Sequence, residues 1–306
     1  MLSYKKLFLL LEEKEISKTE LQNKIGMSSA TLAKLSKNEE VSMRIIQSIC
    51  EFLDCQPGDI MSMEKETNKN SLLYKLKEEK NIKLKGGLYH QTQIKLAYNS
   101  NHMEGSRLTE DQTRCIYETH TIGTGDTNER IDDIIETVNH FRCFDYMLDV
   151  AGDELSEEII KKLHGILKSN TTDSQLDWFA VGDYKKKPNM VGDIKTTLPL
   201  QVATEMKSLL KKYRAISNVT FEDIITFHYK FEKIHPFQDG NGRVGRLIMF
   251  KECLKNNIIP FIIEDTEKWY YQRGLREFLN ESTFLIETCR AGQDKYKELL
   301  KYFDGQ

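Results

Sequence analysis

The chain has 306 residues, of which 39% are hydrophobic and 30% charged, with only five prolines. That is the composition of a soluble, helix-rich protein, long enough for one large domain or two smaller ones. The formal net charge of −3 implies no global pull toward nucleic acid or an anionic membrane, and no apolar stretch reaches the ~18–20 residues of a transmembrane span.

The chain opens on Met1-Leu-Ser-Tyr-Lys-Lys-Leu-Phe-Leu-Leu-Leu11-Glu-Glu. Its apolar run is short, charge follows directly, and no small-residue cleavage site is present, so it reads as an amphipathic helix rather than a signal peptide. Leu7, Leu10 and Leu11 share one helical face. Ser17 and Glu20 form a capping-box pattern ahead of a second helix. Gly26 marks a short turn, Ser28 caps a third helix through Thr31, Leu32 and Leu35, and Ser42 opens a fourth through Ile45, Ile46, Ile49 and Leu53. Short helices about a Gly-containing turn match helix-turn-helix spacing. Residues 1–63, with the closing Leu53-Asp-Cys-Gln-Pro-Gly-Asp-Ile-Met61, resemble the Cro/repressor-type helix-turn-helix family. The resemblance implies a recognition helix from about Ser28 to Lys37, with Ser29, Thr31, Lys34 and Lys37 as DNA contacts. Eight basic residues stand against nine acidic ones over 1–63, a faint electrostatic footprint for operator DNA. Binding is therefore expected to need a homo-oligomer, and protein docking or dimerisation is the alternative role.

Residues 64–81 are rich in Lys, Glu and Asn and read as a linker running into a helix from Ser71. Beyond it, helical patterns cover Asp132–Val150, Ser156–Leu167, Leu198–Tyr213 and Thr220–Lys233, and 291–306 reads as a terminal amphipathic helix. The six cysteines form no Cys-x-x-Cys pair and no zinc-spaced cluster with histidine, so reduced thiols and a cytoplasmic location are expected.

The most informative run is His235-Pro-Phe-Gln-Asp-Gly-Asn-Gly-Arg-Val-Gly-Arg246. It gathers an imidazole, a carboxylate, an amide, three glycines and two arginines within twelve residues. Glycines free the backbone to turn N–H groups toward an anion. An apolar helix follows without a breaker, so a phosphate would sit at a helix N-terminus. His235 suits a general base near neutral pH. Asp239 suits Mg²⁺, a hard cation. Gly240, Asn241, Gly242 and Gly245 would cradle phosphates, and Arg243 and Arg246 offer forked cationic donors.

Every defining position of this run resembles the signature of the Fic family. The resemblance implies a helical core over 82–290 with a β-hairpin flap, ATP and Mg²⁺ as ligands, and transfer of AMP to a hydroxyl of a target protein or of the chain itself. It implies that Arg246 holds the γ-phosphate. It makes Ser100-Asn-His-Met-Glu104-Gly105 an inhibitory motif, on a helix near 100–105, whose Glu104 pairs with Arg246. It places the flap in Trp178–Asp193, with strands on either side of Lys187-Pro-Asn189, Val191 and Gly192 near the nucleotide, and the pair Tyr270 and Tyr271 beside it. His228 reads as a packed, buttressing histidine rather than a second base.

The reading is a mainly α protein: a small helix-turn-helix bundle joined to an all-helical core with one hairpin. Its expected function is an ATP-dependent protein adenylyltransferase restrained by Glu104. The alternatives are AMP removal by the same fold, phosphoryl transfer as in the related Doc toxins, and a nucleotide-sensing DNA-binding regulator.

Overall fold

In a computed structural model of the chain, residues 2–14, 16–63, 71–122 and 129–304 are described. Among them the protein is mainly helical, with two pairs of two-residue strands. The chain divides into two compact units, Met1–Lys69 and Asn70–Gln306.

In the first unit, β1 (Leu2–Ser3) leads into α1 (Lys5–Glu13), α2 (Lys18–Ile25), α3 (Ser29–Ser36), α4 (Met43–Leu53) and the single turn α5 (Pro57–Ile60), and β2 (Ser62–Met63) pairs antiparallel with β1. Local chemistry sets the boundaries. Ser17 Oγ accepts from Glu20 N–H and Ser28 Oγ from Thr31 N–H, both at 3.1 Å, so each serine satisfies an orphan donor of its helix start. Gly26 ends α2 in the left-handed region (φ 65°). The apolar periodicity closes one core of Tyr4, Leu7, Leu11, Leu21, Leu35, Ile46, Ile49, Leu53 and Ile60. Of the expected face, Leu7 and Leu11 are buried and Leu10 is half-buried.

In the second unit come α6 (Leu72–Asn81), α7 (Leu88–Met103), α8 (Glu110–Thr119), α9 (Ile131–Asp149) and α10 (Glu157–Leu167). After them lie the strands β3 (Met190–Val191) and β4 (Ile194–Lys195), then α11 (Pro199–Arg214), α12 (Phe221–Ile234), α13 (Asn241–Lys255), α14 (Lys268–Glu277) and α15 (Thr283–Asp304). Of the expected linker 64–81, residues 64–70 lie outside the described residues. The rest is α6, capped by Ser71 and anchored in the core by Leu73 and Leu76. The expected terminal helix 291–306 is the second half of α15, which begins at Thr283 because no breaker separates the two halves.

Helix α13 is the axis of this unit. Its residues from Arg243 to Leu254 are all buried, as expected of a helix enclosed by others. It packs against α7, α9, α10 and α12. Two charges inside it are compensated: Lys251 donates to Glu252 (2.7 Å) and to Asp153 O (2.8 Å), and Tyr213 OH donates to Glu252 (3.0 Å). Burying α13 fixes its N-terminus, and with it the Gly-rich run, among the ends of the surrounding helices.

The hairpin differs from its expected place. Its strands lie at Met190–Val191 and Ile194–Lys195, and the chain reverses at Gly192-Asp193, where Gly192 adopts φ 57°. Trp178 to Asn189 forms turns and extended coil instead of a strand, because Lys185 and Asn189 spend their polar groups on the neighbouring loop.

Candidate active site

His235 is the residue that ends α12. It sits in the left-handed region (φ 50°), and its N–H still bonds to Phe231 O. A non-glycine residue in that region is uncommon, and here it turns the chain from α12 into the loop that starts α13. Inside the loop, Asn241 Oδ1 accepts from Phe237 N–H (2.8 Å) and Asn241 Nδ2 donates to Phe237 O (2.9 Å). The Asn241 side chain, expected in a phosphate cradle, is thus buried and spent on shaping the loop. Gly240 caps α13 at φ 79°, a conformation that costs an L side chain about 1 kcal/mol or more. The first N–H groups of α13 therefore emerge from a rigid turn, a ready anion-binding geometry.

The charged residues form two connected groups. Arg246, on α13, donates from Nε to Ser100 Oγ (3.0 Å) and from one Nη to Ser100 O (2.9 Å) and Glu104 Oε1 (2.6 Å). Its side chain is 4% exposed and that of Glu104 34%. Burial alone would raise the Glu104 carboxyl pKa, but Arg246 and then Arg243 outweigh it and hold it below the usual range. The expected helix near 100–105 is the end of α7, which stops at Met103: Glu104 is its C-cap, and Gly105 at φ 95° turns the chain away. The carboxylate lies where a side chain on Gly242 would be: a Cβ there would run into Glu104 Oε1.

In the second group, Arg243 pairs with Glu136 on α9 and donates to Asp239 Oδ2 (2.9 Å). Lys168, at the C-cap of α10, donates to the same oxygen (2.7 Å) and to Glu136 (2.5 Å). Burial works against the Asp239 charge, but Arg243 and Lys168 hold its carboxyl well below the ordinary value. Asp239, Arg243, Lys168, Glu136 and Glu104 all line a polar cavity of about 120 Å³. A hard, ionised carboxylate that is 45% exposed on such a cavity fits a magnesium ion.

His235 is held neutral. Burial, then the charge of Lys185, lowers its pKa to about 4. Its Nδ1 lies 3.8 Å from Glu232 Oε2, and burial, then the Glu104 charge, raises the Glu232 pKa to about 8. Lys185 is buried, and its ammonium is met by neutral oxygen acceptors. It donates to Thr196 Oγ1 (2.6 Å), Asn189 Oδ1 (2.7 Å) and Ile234 O (3.5 Å), and its backbone N–H to Pro236 O (2.9 Å). Asn189 Nδ2 donates to Phe237 O (3.2 Å) and Gln238 O (3.4 Å). Both ends of the hairpin are therefore laced to the loop that follows His235.

Other expected site residues are placed differently. Gly245 faces inward, and a Cβ there would lie 2.6 Å from His228 Cε1 and 2.9 Å from Glu232 Oε1, so it serves helix packing and not the cradle. Val191 and Gly192 are exposed at the tip of the hairpin. The tyrosine pair splits. Tyr271 is buried, its OH 2.6 Å from His228 Nε2 and its ring under Arg246 (5.9 Å), whereas Tyr270 is exposed against Trp269. His228 is a packed histidine. On α3, Lys34 and Lys37 are exposed, while the Ser29 hydroxyl accepts from Gln22 (3.0 Å) and that of Thr31 bonds Ser28 (3.0 Å).

Lys168, Glu136, Lys185, Asn189 and Glu232 are the site residues that sequence reading missed. Lys185 and Asn189 stood inside the flap segment, but nothing in a Lys-Lys-Lys run marks which lysine is buried.

Residues 154–253 match the Fic/DOC family model, and residues 6–66 match that of the Cro/C1-type HTH DNA-binding domain. The chain is 25% identical over 191 residues to the protein adenylyltransferase fic-1 of Caenorhabditis elegans, covering 60% of this chain and 36% of that protein. It is 26% identical over 196 residues to a probable protein adenylyltransferase of Aquifex aeolicus, covering 61% of this chain and 60% of that one. The chain thus spans between about one third and three fifths of the length of these relatives. Among solved structures it resembles a Fic domain containing signaling protein from Bacteroides thetaiotaomicron (TM-score 0.62, 22% identity, 76% of this chain and 97% of that one). It also resembles Fic-1 of C. elegans (TM-score 0.57, 17% identity, 96% of this chain and 90% of that one). At these identities the likeness establishes the fold.

Proposed function

We propose, for a chain that joins a Cro/C1-type helix-turn-helix domain to a Fic/DOC family domain, that the second domain is a protein adenylyltransferase. It moves AMP from ATP to a Ser, Thr or Tyr hydroxyl of a target protein or of the chain itself. One observation carries the reading. A neutral histidine stands at the mouth of a helix N-terminus flanked by two buried arginines, and one of those arginines is held by a glutamate from another helix.

The chemistry follows from these residues. A hydroxyl oxygen attacks the α-phosphorus, the bond to the bridging oxygen of the β-phosphate breaks, and pyrophosphate leaves. His235 takes the hydroxyl proton. Its Nδ1 faces Glu232, so Nε2 is the nitrogen available to a substrate. The first N–H groups of α13 and the guanidinium of Arg243 receive the negative charge of the phosphates, where fixed donors in a dry site act most strongly. Arg246 receives the γ-phosphate. Asp239 would hold a magnesium ion, which when bound neutralises phosphate charge. The hairpin aligns the target chain beside His235 by edge-strand pairing, which reads backbone and tolerates varied sequence.

Glu104 is the brake, since one guanidinium cannot serve a carboxylate and a γ-phosphate at once. Without the γ-phosphate contact, ATP seats out of line, and a misplacement of about 1 Å costs on the order of 10²-fold in rate.

Incubation with α- or γ-labelled ATP tests the reaction. Transfer of the α label supports adenylylation, transfer of the γ label alone supports phosphorylation, and neither, together with tight DNA binding, supports a nucleotide-sensing regulator. For the first domain we propose operator binding through α3, with Lys34 and Lys37 on phosphates, in the cytoplasm and as a homo-oligomer. No retardation of its own promoter DNA at low salt would overturn that part.

A further inference from the structure

Lys168 is the most enclosed amine of the site. Its side chain is 3% exposed. Its ammonium lies 2.7 Å from Asp239 Oδ2, 2.5 Å from Glu136 and 3.4 Å from Asp173, over the ring of Phe179 at 5.5 Å. Arg243 takes the same Asp239 oxygen. The carboxylate that faces the cavity therefore already has two fixed cations on one of its oxygens. Among the described residues, no group of three or more His, Cys, Asp and Glu is arranged to hold a metal ion.

This is a poor trap for a free dication. The ion would shed water that it holds tightly, and it would approach a carboxylate whose charge an ammonium and a guanidinium already offset. A nucleotide reverses the balance, because its phosphates bring negative charge and further oxygen ligands of the kind a magnesium ion takes.

We propose that Lys168 keeps Asp239 charge-compensated while the site is empty, so that a divalent cation is taken up only together with nucleotide. The inference rests on the reading of Asp239 as the metal-bearing carboxylate. Lys168 acts through Asp239 and is a positioning residue: it fixes which carboxylate oxygen is taken and sets the charge that an incoming ion meets.

The test is a titration of the full chain with MnCl₂, with free Mn²⁺ followed by its electron paramagnetic resonance signal, with and without ADP. ADP is used because it lacks the phosphate that Glu104 would oppose. The parent is expected to bind Mn²⁺ with ADP and to bind it at least about tenfold more weakly without. Lys168→Met is expected to raise the ADP-free affinity at least about tenfold, and Asp239→Asn to abolish that gain. Lys168→Arg, which keeps the charge, is expected to behave as the parent. Equal ADP-free affinity in the parent and Lys168→Met would overturn the proposal and leave the adenylyltransferase reading intact. Tight ADP-free binding by the parent, lost in Asp239→Asn, would do the same without any Lys168 variant, should Lys168→Met fail to fold. No Mn²⁺ uptake with ADP would overturn the reading of Asp239 itself, and this proposal with it.

Discussion

Replacing Glu104 by glycine is the sharpest perturbation of the site. The pair it breaks joins a 4% exposed guanidinium to a 34% exposed carboxylate at 2.6 Å. An exposed pair is worth about 0–1 kcal/mol, and breaking a fully buried one costs about 3–5 kcal/mol. A value near 3 kcal/mol is reasonable here, because Arg246 keeps both of its Ser100 acceptors. If a γ-phosphate must displace Glu104 before ATP seats in line, removing that competitor raises the rate about 10²-fold. The assay is intact-mass spectrometry of the protein incubated with ATP and Mg²⁺, counting AMP additions on its own side chains with time. Glu104→Gln, which keeps the shape and loses the charge, is expected to fall between parent and Glu104→Gly. The carboxylate pKa lies below its usual range, so mild acid is expected to leave the pair with Arg246 intact. If Glu104→Gly is no faster than the parent at saturating ATP, or if glutamine restrains as firmly as glutamate, charge competition at Arg246 is not what restrains the site.

His235→Ala in the Glu104→Gly background is expected to slow transfer by about 10²–10⁴-fold while ATP binding by calorimetry is retained; unchanged transfer would remove His235 from the chemistry. Gly245→Ala places a methyl 2.6 Å from His228 Cε1 and 2.9 Å from Glu232 Oε1, so it should cost about 1–3 kcal/mol of stability by overpacking, read as a fall in the denaturant midpoint of the second domain. Stability should also depend on pH. Burial lowers the pKa values of His140, His164 and His228 to about 3, and burial followed by Lys185 lowers that of His235 to about 4. The unfolded chain therefore binds more protons, and this contribution, full above about pH 6.5, is lost as pH falls through the range toward 4. A melting temperature unchanged between pH 7 and pH 4.5 would contradict it. Lys185→Met removes a cation beside His235 and should shift the acid limb of the rate profile to higher pH. An unmoved limb would mean that Lys185 acts on the hairpin alone.

The parts of this fold that were legible in sequence are those set by local chemistry. Ser17, Ser28, Ser71, Ser156 and Thr220 each accept the N–H three residues on, and that bond needs no distant partner. The same holds for the start of α13, where Gly240, an adjacent amide and an unbroken apolar run together dictate a turn and a helix. The hairpin was misplaced for the opposite reason. Lys187-Pro-Asn189 has turn chemistry, yet Asn189 is held by Phe237 O and Gln238 O, and the reversal moved to Gly192. Turn propensity is a small local preference, and several tertiary hydrogen bonds outweigh it.

The same division explains the site. The run 235–246 named the helix N-terminus and its charged residues, but not what those residues touch. By residue type alone Arg243 and Arg246, three positions apart on one helix, are equivalent phosphate donors, and only the family resemblance singles out Arg246 as the partner of Glu104. The fold makes them different, because α9 and α10 bring Glu136 and Lys168 to one while α7 brings Ser100 and Glu104 to the other. Arg243 is closed into a four-charge cluster with Glu136, Asp239 and Lys168, which fixes its direction before any ligand arrives. Arg246 meets a single carboxylate at the C-cap of α7, next to a glycine at φ 95°, and that side chain can swing away without breaking a backbone bond of the helix. Under the proposed function this pairing of a closed electrostatic cluster with a single ion pair has a purpose: the first would keep the cradle in register, and the second would decide whether the terminal phosphate is admitted.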